Sequence, residues 1–248
     1  MYRLFHELAH RYDLHTPPDH YRHDHAFVLG QAAALGSPCR LLDVGCGTGV
    51  LVEKALQAGV LATGIDVSPA MIHVAQARVG TGAAAVRRMQ DIDDEAAYDL
   101  VVSLSWTLNY CSGRAELVDV LRRLRRALRP GGRVLLQVAH AAHVDGRLME
   151  DREPGPTGEP DDVLFLYRFM RVEGEDWPMR AEYVYACKSL NELTHEQHLL
   201  RMADAHAVAA CVREVGLRDV QVYDSWRRDP LQGSPSPFVS AIQEAASR

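Results

Sequence analysis

The sequence predicts an α/β fold: a mainly parallel, doubly wound sheet with an antiparallel addition late in the chain. Three observations predict it. Between residues 40 and 140, short runs rich in branched apolar residues alternate with stretches whose apolar residues recur at helical spacing. Such alternation implies βαβ crossovers, parallel strands and helices on both faces of the sheet. From 163 to 202 the pattern changes to three strand-like runs with no helix between them. A glycine-rich turn directly follows the first strand-like run, and open α/β sheets bind ligands at such strand ends.

The elements follow in order. Residues 1–38 read as an N-terminal helical cap, and 39–140 as the ligand-binding core. Residues 40–44 form a buried strand and 50–58 a helix. A second strand at 61–66 leads into a helix through Met71, Val74 and Val79. Residues 84–89 are a third strand and 100–103 a fourth. Leu117, Leu121, Leu124 and Leu128 repeat at helical spacing, so Arg122, Arg123, Arg125 and Arg126 form the solvated face of an amphipathic helix. Pro130, Gly131 and Gly132 stop that helix before a fifth strand at 134–138. Residues 151–162, rich in Pro, Gly and acid, read as a turn or loop. The runs at 163–172, 180–190 and 194–202 make an antiparallel insertion, bounded as 144–203. Asp204 caps a last helix that Gly216 ends, and closing strands follow at 220–223 and 238–242. The whole chain, 1–248, is expected to be one domain.

Composition excludes several classes. Hydrophobic residues make up 47% and charged residues 24% of the 248, an ordinary globular balance. No apolar run reaches the roughly 20 residues of a spanning helix, and the first residues lack signal-peptide character. The five cysteines are scattered and odd in number, which suits reduced thiols and a cytoplasmic location. A net charge of −6 with a single basic run gives no electrostatic footprint for nucleic acid.

The sharpest chemical feature is Leu41-Leu42-Asp43-Val44-Gly45-Cys46-Gly47-Thr48-Gly49, a strand running into three alternate glycines and then a helix. Glycines permit positive φ and let a ligand lie on the backbone. A dinucleotide site is the competing reading, but its G-x-G-x-x-G pattern would put the third glycine where Val50 stands. Asp66, ending the second strand before Val67, can accept both hydrogen bonds of a ribose diol. Asp91, beside Ile92, can accept from an adenine amine. Asp43, Asp66 and Asp91 make a row of acids along one sheet edge. Such a row suits a cationic sulfonium better than a pyrophosphate, although each acid alone is open to reading as a helix cap.

Residues 40–140 resemble the class I, Rossmann-like S-adenosylmethionine-dependent methyltransferases. The resemblance rests on Asp43-x-Gly45-x-Gly47-x-Gly49, on Asp66 and Asp91, on Tyr98-Asp99-Leu100-Val101-Val102-Ser103, and on Leu128-Arg129-Pro130-Gly131-Gly132. It implies a seven-stranded sheet whose last strand is antiparallel, and S-adenosyl-L-methionine as cofactor. Asp43, Gly45, Cys46, Gly47, Gly49, Asp66, Val67, Asp91, Ile92 and Ser103 would hold it. The Tyr12-Asp13 pair and the antiparallel insertion also resemble small-molecule enzymes that include amino-sugar N-methyltransferases. The His-rich stretch 15–25 departs from their usual start.

The acceptor side is less determined. Methyl transfer needs alignment of the acceptor lone pair and exclusion of water, and an oxygen acceptor also calls for a base. Position puts forward Trp106, Asn109 and Tyr110 after strand four, His140 and His143 after strand five, and Tyr12 and Tyr21 near the start. His140, Tyr12 and Tyr110 lead as catalytic candidates; structural roles are open for each. Six histidines within the first 25 residues, with His6 and His10 one helical turn apart, raise a metal site against a bland His-rich lid, and no metal is expected. The leading function is methylation of a nitrogen or oxygen of a small molecule in specialised metabolism. Alternatives are a protein or peptide methyltransferase and a non-catalytic cofactor-binding scaffold. Phe165, Leu166, Tyr167, Phe169 and Met170 give the insertion an apolar content that fits a substrate lid or a homodimer interface equally.

Overall fold

Leu41, Leu42 and Val44 of β1 (Arg40–Val44) are buried, and that strand sits inside the larger of two sheets. The computed structural model describes residues 2–244. Ahead of β1 lie a short helix α1 (Tyr12–His15) and a longer one, α2 (Arg22–Ala34). After it come α3 (Val50–Gln57), β2 (Leu61–Asp66), α4 (Pro69–Val79), β3 (Ala84–Val86), β4 (Tyr98–Ser103), α5 (Arg114–Ala127) and β5 (Leu128–Gln137). The insertion supplies β6 (Met149–Glu153), β7 (Val163–Arg171), β8 (Met179–Cys187) and β9 (Glu192–Leu200). The chain closes with α6 (Ala205–Glu214), β10 (Arg218–Tyr223) and β11 (Phe238–Ile242).

The larger sheet has the order β10-β11-β5-β4-β1-β2-β3. β11 runs antiparallel to both its neighbours, and the other neighbouring pairs are parallel, as the resemblance implied. One face is covered by α5 and α6, whose Leu117, Leu121, Leu124, Val208 and Val212 are buried. Val28, Leu51, Val52 and Ile72 from α2, α3 and α4 cover the other. Each such side chain stabilises the fold by roughly 1.5–3 kcal/mol on burial. The expected amphipathic helix is α5. Gly216, with φ +89°, ends α6, and the Asp204 carboxylate at its start accepts N–H bonds from His206 and Ala207.

The smaller sheet is antiparallel throughout, in the order β6-β7-β8-β9. Its fourth strand, β6, overlaps the stretch expected to be loop. Met-Glu-Asp-Arg-Glu carries no apolar alternation because β6 is a partly exposed edge strand paired only to β7. Two other expectations are corrected. β3 ends at Val86 rather than Met89, because Arg87 turns to bind Asp93, Asp94 and the Asp91 carbonyl. His6 and His10 do not share a helix; the segment is two 3-10 turns, Arg3–Phe5 and Ala9–Arg11. Phe165, Val163 and Tyr185 of the insertion pack on Leu4 and Leu8, so the N-terminal segment occupies that apolar face.

Candidate active site

The chain crosses from one side of the sheet to the other between β1 and β4, and the crevice at their carboxyl ends is the topological switch point. The Gly45 and Cys46 N–H groups both donate to the Ile65 carbonyl, at 2.8 and 3.0 Å, folding the glycine turn over the end of β2. Gly45 has φ +80°, and a Cβ there would stand 2.9 Å from Cβ of Thr107. That backbone must stay bare for the crevice to remain open.

The crevice is a cavity of about 540 Å³. Gly45, Gly47, Asp66 and Val67 form one side, Met71, Met89 and Gln90 continue it, and Glu116 closes that end. Tyr2, Phe5, Tyr12 and Tyr110, whose rings cluster with one another, line the cavity as well. Asp66 accepts N–H bonds from Gly47 at 3.1 Å and Ser68 at 2.8 Å; burial nevertheless raises its pKa. Gln90 donates to Glu116 at 2.7 Å, and Glu116 also accepts from the Ser112 N–H. A smaller annex of about 90 Å³, lined by Tyr12, Tyr21, His25 and Asp43, reaches the same glycines. Burial, then the nearby Asp66, pushes the Asp43 carboxyl up to about 7. A bound cation would reverse that push, so the pair suits positive charge.

The N-terminal segment is latched over the cavity. Thr48 Oγ1 donates to Asp13 at 2.8 Å, and Arg78 pairs with both Asp13 and Glu53. The Ser68 hydroxyl donates to the Phe5 carbonyl. On the far side, the Glu196 carboxylate of β9 accepts N–H bonds from Arg3 at 2.6 Å and Leu4 at 2.9 Å. Beneath the latch, Ser105 and Trp106 both have positive φ, a strained turn at the cavity edge.

The cofactor residues expected from sequence divide into three groups. Gly45, Gly47, Asp66 and Val67 line the main cavity, while Asp43 and Cys46 line the annex. The Cys46 side chain turns inward and lies where a Gly64 Cβ would stand, so only its backbone faces the crevice. Burial pushes its thiol pKa up. Four others stand apart from the lining. Gly49 packs on Ala75, and Ile92 lies in the core. Ser103 is buried and donates to the Val44 carbonyl. The Asp91 side chain is exposed because the 3-10 turn Met89–Asp91 presents Gln90 to the cavity instead.

Of the acceptor-side candidates, Tyr12 and Tyr110 line the main cavity and Tyr21 the annex. His140 is buried, and its Nδ1 accepts the Ala205 N–H at 3.1 Å, at the start of α6. His143 faces the Ser234 carbonyl, and Trp106 donates to Ser236. Asn109 ties three segments together: it accepts from the Ala139 N–H and donates to the Arg201 and Met202 carbonyls. Among the described residues no group of three or more His, Cys, Asp or Glu is placed to hold a metal ion. Sequence reasoning missed Glu116, Thr107 and Ser105. An acid in the first turn of the helix after β4 was the available signal for Glu116.

The residues present fit an adenosyl sulfonium. Val67, Met71 and Met89 give the cavity an apolar side that would suit a base, Asp66 lines the same cavity and could accept from a ribose diol, and the Gly45–Gly47 backbone lines it with no side chain in the way. Sheet order, glycine turn and strand-end acids together resemble those of class I methyltransferases. Residues 41–132 match the family model described as a methyltransferase domain. A protein of Geobacillus sp. (strain WCH70) is 29% identical over 116 residues, 45% of this chain and 47% of its own. The ubiquinone biosynthesis O-methyltransferase of Xylella fastidiosa (strain 9a5c) is 34% identical over 106 residues, 40% of this chain and 42% of its own. The dTDP-4-amino-2,3,4,6-tetradeoxy-D-glucose N,N-dimethyltransferase of Saccharopolyspora spinosa is 31% identical over 97 residues, 39% of each chain. The matched stretch thus spans less than half the length of these curated relatives. Among solved structures, DesVI of Streptomyces venezuelae superposes with a TM-score of 0.75 at 21% identity, covering 95% of this chain and 97% of its own. CalS10 of Micromonospora echinaspora, an amino pentose methyltransferase solved with S-adenosylmethionine bound, gives 0.70 at 22%, covering 90% and 94%. Both likenesses extend well beyond the matched stretch 41–132.

Proposed function

We propose that this protein is an enzyme that transfers a methyl group from S-adenosylmethionine to the nitrogen of a small amine-bearing acceptor, an amino sugar being the favoured class. The observation that carries the reading is the aromatic cluster of Tyr2, Phe5, Tyr12 and Tyr110 lining the same latched cavity as the glycine turn. Aromatic faces and strand-end carboxylates stabilise cationic groups, which describes both a sulfonium and an ammonium. Gly45, Gly47, Asp66, Val67 and Asp43 would hold the cofactor, with Gln90 and Glu116 at its adenine end. Bound there, S-adenosylmethionine supplies an electrophilic methyl carbon. The chain's own task is to align the acceptor, exclude water and handle one proton. The amino-sugar dimethyltransferase of Saccharopolyspora spinosa supports a nitrogen acceptor. An oxygen acceptor is the second reading, supported by the ubiquinone O-methyltransferase. No helix of the described residues is long and apolar enough to cross a membrane, and the free, buried cysteines suit a cytoplasmic setting.

Thermal unfolding with S-adenosylhomocysteine, against NAD as control, tests the cofactor. At 100 times its Kd, a native-state ligand stabilises by about 2.7 kcal/mol. A panel of nucleotide-linked amino sugars and phenols, read by mass spectrometry for a gained methyl, tests the acceptor. Stabilisation by NAD alone would overturn the proposal, and methylation of phenols only would move it to oxygen.

A further inference from the structure

The far wall of the cavity carries a chain of titratable groups that three separate segments bring together. Tyr110 lies in the turn after β4; Glu196 and His198 are two residues apart on β9, so both side chains share one face of that strand. Tyr110 Oη stands 2.6 Å from His198 Nδ1. His198 Nε2, buried and without a hydrogen-bond partner, stands 3.4 Å from the Glu196 carboxylate. The other oxygen of that carboxylate, and the same one again, are held by the Arg3 and Leu4 N–H groups. Tyr2 stacks on the imidazole at 3.7 Å, and Phe5 and Tyr183 meet it edge-on.

Carboxylate, imidazole and phenol thus form a line whose outer end lines the cavity. A phenol alone is a weak base at neutral pH. It becomes an effective one when its own proton can pass to an imidazole whose opposite N–H faces a carboxylate. We propose that Tyr110, His198 and Glu196 form a proton relay that deprotonates the acceptor amine, with the N-terminal segment completing it by fixing Glu196.

This rests on the amine reading above. The N–H bond of the acceptor ammonium breaks and its electron pair stays on nitrogen. The proton passes to Tyr110 Oη, while the tyrosine's own proton moves to His198 Nδ1. The imidazolium so formed is stabilised by Glu196 across Nε2–H and later returns a proton to solvent. Tyr110 is the catalytic residue, and His198 and Glu196 are positioning residues that act through it. The resting state fits this order. Burial lowers the His198 pKa while Glu196 opposes that, and burial with neighbouring Tyr183, Tyr2 and Tyr12 raises that of Tyr110, so both rest neutral. The ionisable groups facing the pair are therefore Tyr2, Tyr12, Tyr183 and Glu196.

Two measurements test it on the full chain. The first needs no acceptor: ¹⁵N NMR of the histidine rings, with His198→Gln assigning its signal. The relay requires Nδ1 bare and Nε2 protonated, and a proton on Nδ1 would overturn it whatever the protein methylates. The second uses nucleotide-linked amino sugars, with S-adenosylhomocysteine thermal shifts as the folding control. Tyr110→Phe, His198→Gln and Glu196→Gln should each keep the shift and lower kcat about 100-fold. The acid limb of the kcat–pH profile should also move upward. A variant that binds S-adenosylhomocysteine as the parent does, with an unchanged pH profile, would refute the relay. An amine panel left unmethylated beside a correct tautomer would instead refute the acceptor reading on which it rests.

Discussion

Replacing His15 with phenylalanine should make folding stability less sensitive to acid, and the structure gives the size of the effect. His15 ends α1 with its ring stacked on Phe165 at 4.3 Å and set edge-on to Tyr12 and Tyr185. It is 1% exposed, and its Nε2 has no partner. Burial, then the charge of His20, pushes its pKa down to about 3. An unfolded histidine titrates near 6.5, so the unfolded chain binds the extra proton between those values. Stability that is present above about pH 6.5 is therefore lost as pH falls toward 3. By pH 5 the loss is about 2 kcal/mol for this residue. His25, pushed to about 4 by burial and Lys54, acts in the same direction. Asp43 acts oppositely: with its folded pKa raised to about 7, protonation stabilises the native state as pH falls. The pH dependence of the parent alone mixes these signs, whereas the difference between parent and variant isolates His15. Urea unfolding at pH 8 and pH 5 reads that difference. His15→Phe, which keeps the stacking, should lose about 2 kcal/mol less than the parent on acidification, a midpoint difference on the order of 1 M urea. Equal losses in both proteins would refute the argument, because His15 would then be charged or solvated in the folded state.

Two further outcomes follow from the site. Gly45→Ala places a Cβ against Thr107 on a backbone at φ +80°; it should cost about 1–3 kcal/mol in thermal unfolding and weaken S-adenosylhomocysteine at least tenfold by calorimetry. Glu116→Ala, which removes the partner of Gln90, should weaken the same ligand about tenfold, whereas Asp91→Ala should leave it unchanged. Equal losses from those two would refute the assignment of the adenine end.

The core was legible because its signals are local and repeated. β1, β2 and β11 lie at the residues expected, since each is a short apolar run closed by a glycine, an acid or a turn. β6 was not legible, because a partly exposed edge strand of Met, Glu, Asp and Arg shows no alternation that distinguishes it from loop. The site divides the same way. Gly45, Gly47, Asp66 and Val67 are fixed by what lies beside them in the chain. Whether Gln90 or Asp91 faces the cavity depends on how soon β3 ends, which Arg87 decides through partners four to seven residues on. The relay was beyond sequence reasoning altogether. Tyr110 and His198 are 88 residues apart, and only the docking of β9 brings them together.

The position of β11 has a consequence for how the molecule is made. Its residues Phe238–Ile242 pair with Gln137–Arg133 of β5, on the other side of the whole insertion. Until residues 238–242 leave the ribosome, β5 presents an unpaired edge carrying Val134, Leu135 and Leu136, all of which are fully buried in the finished protein. Such an edge is a template for the wrong partner. Closing so long a loop also carries an entropic cost that slows the step. A nascent chain halted before Phe238 therefore has its whole glycine turn but an open sheet, and it should be the species that aggregates during expression.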